Sequence, residues 1–235
     1  MAYRVNYSTV KDGNMSLKYG AYDEVLKNKK KFFDENNIKK TVSINVLYSD
    51  KINFLNNSCP QEIDTDCLIT NQKNIFLYLC FGDCIPMVVY DKTKEIISLT
   101  HLGWQSISLN LHQKVIQYYI DKFNSNLDDL EVVLGPSIKK DSYILKKPNQ
   151  LQINGWERYL EKLDNDYYKI DLNKFVCDSL LKMNIKQIIN SEIDTAQDLN
   201  LFSHYRYNYM DKNIPEGRFI FGVMLDDNAN ILENK

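Results

Sequence analysis

Histidine is scarce in this sequence, with 3 in 235 residues, and proline (5) and glycine (8) are nearly as rare. So little glycine and proline excludes collagen-like and low-complexity architectures. Neither a G-x-G-x-x-G nor a G-x-x-x-x-G-K-[ST] run occurs, which sets aside nicotinamide dinucleotides and P-loop phosphate chemistry. No apolar run reaches the ~18 residues of a membrane span, and residues 1–18 lack the apolar centre of a signal peptide. No membrane association and a cytoplasmic location are therefore expected. A basic excess is missing too: 29 Lys+Arg face 31 Asp+Glu, for a net charge of −2, so nucleic acid is not an expected partner. The cysteines number 5, an odd count at irregular spacing, and are expected as reduced thiols rather than a disulfide framework.

What is present is ordinary globular material, 44% apolar and 26% charged. No repeat or linker divides it, and one domain over residues 1–235 is the simplest reading. Alternating or β-branched segments predict strands at 3–7, 41–48, 75–81, 85–91, 95–101, 130–134, 185–190 and 218–225, with 85–91 and 95–101 forming a hairpin. Helical periodicity predicts helices over 22–36, 106–124 and 171–183. Segments 53–65, 146–154 and 207–216 read as loops. Hairpins interrupting the strand–helix alternation argue for an α+β fold.

The histidines are few enough to weigh singly. His112 sits in the middle of the apolar stripe of the helix over 106–124, the position of a core residue with a satisfied ring nitrogen rather than a ligand. His101 ends a strand and opens the run His101–Leu102–Gly103–Trp104; Cys84 lies at the equivalent break Gly82–Asp83–Cys84–Ile85–Pro86. A thiol and an imidazole at neighbouring strand ends suit two ligands of a soft or borderline metal, or a thiolate–imidazolium pair for nucleophilic attack. Arg206 and Arg218 are candidate anion binders, because the guanidinium fork matches phosphate. Asp83 is a candidate partner of the cysteine or a turn cap.

Four motifs occur in order: Asp64–Thr65–Asp66–Cys67–Leu68–Ile69–Thr70, Gly82–Asp83–Cys84–Ile85–Pro86, His101–Leu102–Gly103–Trp104 and Gly135–Pro136–Ser137–Ile138, followed by Leu201–Phe202–Ser203–His204–Tyr205–Arg206 and Gly217–Arg218. Over nearly the whole chain this resembles the laccase-domain family, the YfiH-type polyphenol oxidases whose members are described as purine nucleoside phosphorylases. The resemblance implies a layered α/β/β/α fold with mixed sheets and a pocket in which a His–Cys–His set binds zinc. It also implies phosphorolysis of adenosine, inosine and methylthioadenosine to a base and ribose 1-phosphate, with a side adenosine deaminase activity. Carried onto this chain, Cys84 and His101 are metal ligands and catalytic groups. Arg206 joins them as a catalytic phosphate-orienting residue, and Ser203, His204 and Arg218 bind substrate.

The chain departs from the family's pattern at Leu47, where the first histidine ligand is expected, and at Val10, Gln105 and Asp194. With Leu47 there, zinc is expected to bind weakly or not at all unless His204, Asp50 or water fills the place, and copper less still. Two other readings remain open: a nucleoside-binding member that has lost turnover, and a Cys–His hydrolase with Cys84 as nucleophile and His101 as base.

Overall fold

The structure is a computed structural model and describes residues 2–226. In chain order its elements are β1 (Ala2–Tyr7), α1 (Tyr22–Glu35), β2 (Thr41–Asn45), β3 (Ile52–Leu55), β4 (Glu62–Asp64), β5 (Cys67–Thr70), β6 (Phe76–Phe81), β7 (Ile85–Asp91), β8 (Ile96–Leu102), α2 (Trp104–Ser108), α3 (Leu111–Phe123), β9 (Leu130–Leu134), β10 (Ile144–Lys146), β11 (Leu160–Lys162), β12 (Tyr167–Ile170), α4 (Leu172–Lys182), β13 (Gln187–Asn190) and β14 (Phe219–Asp226).

Two mixed sheets stack face to face. One has the order β1-β14-β6-β2-β4 and the other β13-β9-β7-β8-β5-β3. Successive side chains of a strand point to opposite faces, and the central strands use both. In β6, Leu77, Leu79 and Phe81 enter the core between the sheets, while Phe76 and Tyr78 point to the other face. There they meet Phe32 and Phe33 of α1. In β7, Val88 and Tyr90 face the inter-sheet core, and Ile85, Met87 and Val89 face α2, α3 and α4. Strands covered on both faces read as continuous apolar runs, and the result is the expected order of helix, sheet, sheet, helices.

Several expectations are corrected. The helix over 106–124 is two helices, because Asn110 adopts a left-handed φ of 58° between α2 and α3; Leu109 is consequently exposed rather than on the buried stripe. The loop over 53–65 contains the end of β3 and all of β4, short edge strands without long apolar runs. The strand over 41–48 stops at Asn45, and Tyr48 takes a φ of 58°. Residues around the 146–154 loop belong to a third small sheet, β10-β12-β11. The 207–216 loop begins within a π-helical turn, Arg206–Met210.

His112 is fully buried, as its place on the stripe predicts, but neither ring nitrogen has a hydrogen-bond partner. Its ring packs edge-on against Phe175 at 5.9 Å. Burial alone pushes its pKa down to about 4 from the ordinary 6.5. Between those values the unfolded chain takes a proton that the folded chain refuses, so stability falls as pH drops through the window. Across it the wild type should lose about 3 kcal/mol that a His112→Leu variant keeps. Urea midpoints measured from pH 7 to pH 4 check this; parallel pH profiles for the two proteins would refute it.

Candidate active site

Antiparallel pairing of β7 with β8 sets Ile85 opposite Leu102 and Pro86 opposite His101. Cys84, one residue before β7, therefore comes to the end of β8 where His101 lies. Both crowd Gly103: a Cβ there would stand 3.4 Å from the Cys84 Sγ and 3.3 Å from the His101 Cε1. The sequence thus placed the thiol and the imidazole together at one strand end.

Behind the ring stands a carboxylate that the sequence reading did not single out. Asp66, at 0% exposure, accepts from His101 Nδ1 at 3.1 Å, from the backbone N–H of Tyr48 at 3.0 Å, and from both the N–H and the hydroxyl of Ser49 at 2.7 Å. The Asp66 bond assigns the proton-bearing nitrogen facing it to Nδ1 and leaves Nε2 for Cys84 and the cavity. Burial opposes ionisation of Asp66, but the His101 and Ser49 hydrogen bonds outweigh it and hold the carboxyl below its ordinary range. Burial likewise opposes charge on His101, yet Cys84 and Asp66 together carry its pKa up to about 9. The array is carboxylate, imidazole, sulfur. Tyr48 completes it, its ring edge-on to His101 at 5.4 Å and 83°.

Cys84 and His101 open into a cavity of about 430 Å³. One wall is aromatic and apolar: Trp104, Tyr143, Leu145, Tyr205 and Tyr209. The lining also carries two cations, Lys18 and Arg218, on the ring of Tyr19 at 5.3 and 4.1 Å. Arg218 donates to the Tyr19 hydroxyl at 2.8 Å and to the Gly217 carbonyl at 2.7 Å. Both cations lower the pKa of the Tyr48 hydroxyl, which burial and Cys84 raise more strongly. His204 also lines the cavity, half-exposed, with Nδ1 3.1 Å from Glu216.

Other candidates hold the structure around the cavity or lie away from it. Arg206 is corrected from phosphate binder to loop clamp: its guanidinium is buried and donates to the carbonyls of Thr195 (3.0 Å), Ala196 (3.3 Å), Asp198 (2.9 Å) and Leu201. Ser203 is buried and its hydroxyl accepts from the Arg206 N–H at 3.0 Å; it does not line the cavity. Asp83 lines the cavity but is a strut, accepting at 2.7 Å from the Thr195 hydroxyl and at 2.7 Å from the Tyr205 N–H. Leu47 is 43% exposed and is not among the residues lining the cavity. Lys18, Tyr19, Tyr48 and Tyr143 were missed because they stand on loops with no motif of their own. Asp66 was visible inside a quoted motif, and only the fold shows that it backs His101.

The donors do not fit the zinc set that the resemblance implies. Cys84 and His101 supply two, whereas a catalytic zinc needs three protein ligands. Among the described residues no group of three or more His, Cys, Asp or Glu side chains converges as a metal cage. Asp50, one proposed substitute, is paired with Lys114.

The model of the family described as multi-copper polyphenol oxidoreductase laccase matches residues 4–226. This chain belongs to that family. A purine nucleoside phosphorylase of Clostridium acetobutylicum is 26% identical over 209 residues, 87% of this chain and 86% of that protein. The purine nucleoside phosphorylase YlmD of Bacillus subtilis is 38% identical over 79 residues, but that match spans only 34% of this chain and 28% of the relative. Among solved structures, YlmD from Geobacillus stearothermophilus superposes with a TM-score of 0.83 at 18% identity, covering 96% of this chain and 92% of that one. YfiH of Bacillus licheniformis gives 0.82 at 21% identity, covering 95% and 93%. The layered fold of the family member is thereby established.

The clamp role of Arg206 predicts that Arg206→Leu destabilises the fold by about 2–4 kcal/mol, through orphaned buried carbonyls. Phosphate affinity should be unchanged at a temperature where the variant is folded. Denaturant unfolding and phosphate calorimetry check both halves; a stable variant that has lost phosphate binding would contradict them.

Proposed function

We propose that this chain splits purine nucleosides with inorganic phosphate, releasing the free base and ribose 1-phosphate. The observation that carries the reading is one cavity lined by three chemically distinct groups: aromatic rings, two cations gathered on Tyr19, and an imidazole backed by a carboxylate. A flat purine suits the Trp104 and Tyr143 side, where ring faces and edges give geometry-specific contacts. Phosphate suits Lys18 and Arg218, through charge-assisted hydrogen bonds. The names of the relatives support the same substrates.

Holding both reactants in one cavity makes the displacement effectively intramolecular. A phosphate oxygen forms a bond to the anomeric carbon as the bond from that carbon to the purine nitrogen breaks. The bonding pair leaves with the base, and the His101 N–H donates to the purine nitrogen that accumulates charge. Deamination of adenosine by water is the secondary reaction in this reading.

Purified protein with inosine and phosphate should yield hypoxanthine and ribose 1-phosphate by chromatography. Lys18→Ala and Arg218→Ala should each raise the KM for phosphate about tenfold, the effect of losing one charge-assisted contact, with less change in the KM for inosine. Folded protein that binds purine nucleosides and turns over none of a panel of them would replace this reading by a non-catalytic nucleoside-binding one.

A further inference from the structure

The disagreement between this donor set and a metal site has a structural counterpart. In a metal site a carboxylate behind a histidine fixes the ring so that its far nitrogen reaches the ion. Here the same support is complete: Asp66 is buried, takes four hydrogen bonds, and holds His101 by Nδ1. The far edge of the ring lies beside the Cys84 sulfur, Nε2 and Sγ standing 3.7 and 3.4 Å from where a Cβ on Gly103 would be. Candidate third ligands near the pair are bonded to other groups among the described residues, the cavity-lining Cys80 thiol to the Met15 carbonyl at 3.3 Å. His204 is bonded to Glu216 and Asn208, Asp83 to Thr195 and Tyr205, and Asp50 to Lys114. Residue 47 contributes hydrocarbon, and it is exposed.

We propose that this chain works without a resident metal, and that Asp66 is the positioning residue that lets His101 serve as the proton donor in its place. This rests on the phosphorolysis reading for its substrate, though not for the metal itself. The step balances without an added cofactor. The phosphate oxygen bonds to the anomeric carbon, the bond from that carbon to the base breaks, and the base takes the electron pair and a proton from His101. Dihydrogen phosphate, on becoming the sugar ester, returns a proton to the ring. Cys84 acts on the ring's far side and forms no covalent bond to the substrate.

The test uses the full-length chain expressed with supplemented zinc and analysed by plasma mass spectrometry, with the wild type and each variant checked for folding by circular dichroism. The wild type should carry below about 0.1 zinc per chain, because the two donors Cys84 and His101 fall short of the three protein ligands of a catalytic zinc. Turnover by the wild type should be unaltered by 1,10-phenanthroline. Asp66→Asn should lower kcat about 100-fold, the scale of a misplaced general acid, with the KM for inosine within about twofold, and Asp66→Glu should recover part of the loss. About one zinc per wild-type chain would overturn the inference, as would an Asp66→Asn whose kcat is unchanged. A zinc-free wild type with no phosphorolysis would instead remove the phosphorolysis reading and leave metal independence standing.

Discussion

A carboxylate removed from water is costly unless donors replace its hydration, and the way Asp66 meets that cost organises the site. Its four donors come from two parts of the fold. Tyr48 and Ser49 lie on the link between β2, in the five-stranded sheet, and β3, in the six-stranded one. His101 ends β8, and its own N–H donates to the Asp66 carbonyl at 2.7 Å. One buried side chain thus ties the crossover between the sheets to the strand end that carries the imidazole. It also explains the left-handed turn at Tyr48, which points two successive N–H groups at the same carboxylate and brings the tyrosine ring against His101.

Asp83 does the corresponding work on the other side of the cavity. It lies at the break between β6 and β7, adjacent to Cys84, and bonds to Thr195 and Tyr205. Arg206 braces the same loop from within by gathering four of its carbonyls. The cavity is therefore walled by segments held to the sheets through buried polar contacts, which rigidify when fully satisfied. Close-packed apolar layers lie beneath. Residues that look functional by type, an arginine and an aspartate beside a cysteine, are here the fasteners of the site rather than its reagents.

The layers were legible in the sequence because apolar runs such as 75–81 and 85–91 are long and β-rich, the mark of strands covered on both faces. Cys84 and His101 were legible because glycine-broken strand ends in one hairpin must approach each other. Arg206 was misread because residue type does not reveal whether a guanidinium faces a ligand or its own backbone. Lys18, Tyr19 and Tyr143 were invisible for a different reason: they reach the cavity from loops, where neither periodicity nor spacing reports direction. The break at Asn110 was hidden as well, since asparagine tolerates both helix and left-handed conformations and the apolar stripe continues past it.

The scarcity of histidine offers the most direct measurement of the account. In protein labelled with nitrogen-15 at its 3 histidines, ring nitrogen resonances can be assigned by single substitutions and followed as hypoxanthine is added. If the cavity over the Asp66–His101–Cys84 array is where a purine sits, the His101 Nε2 resonance shifts saturably, while His112, sealed in the layer beyond, does not move. Saturated binding of the base with the His101 ring unperturbed would contradict the account at its centre.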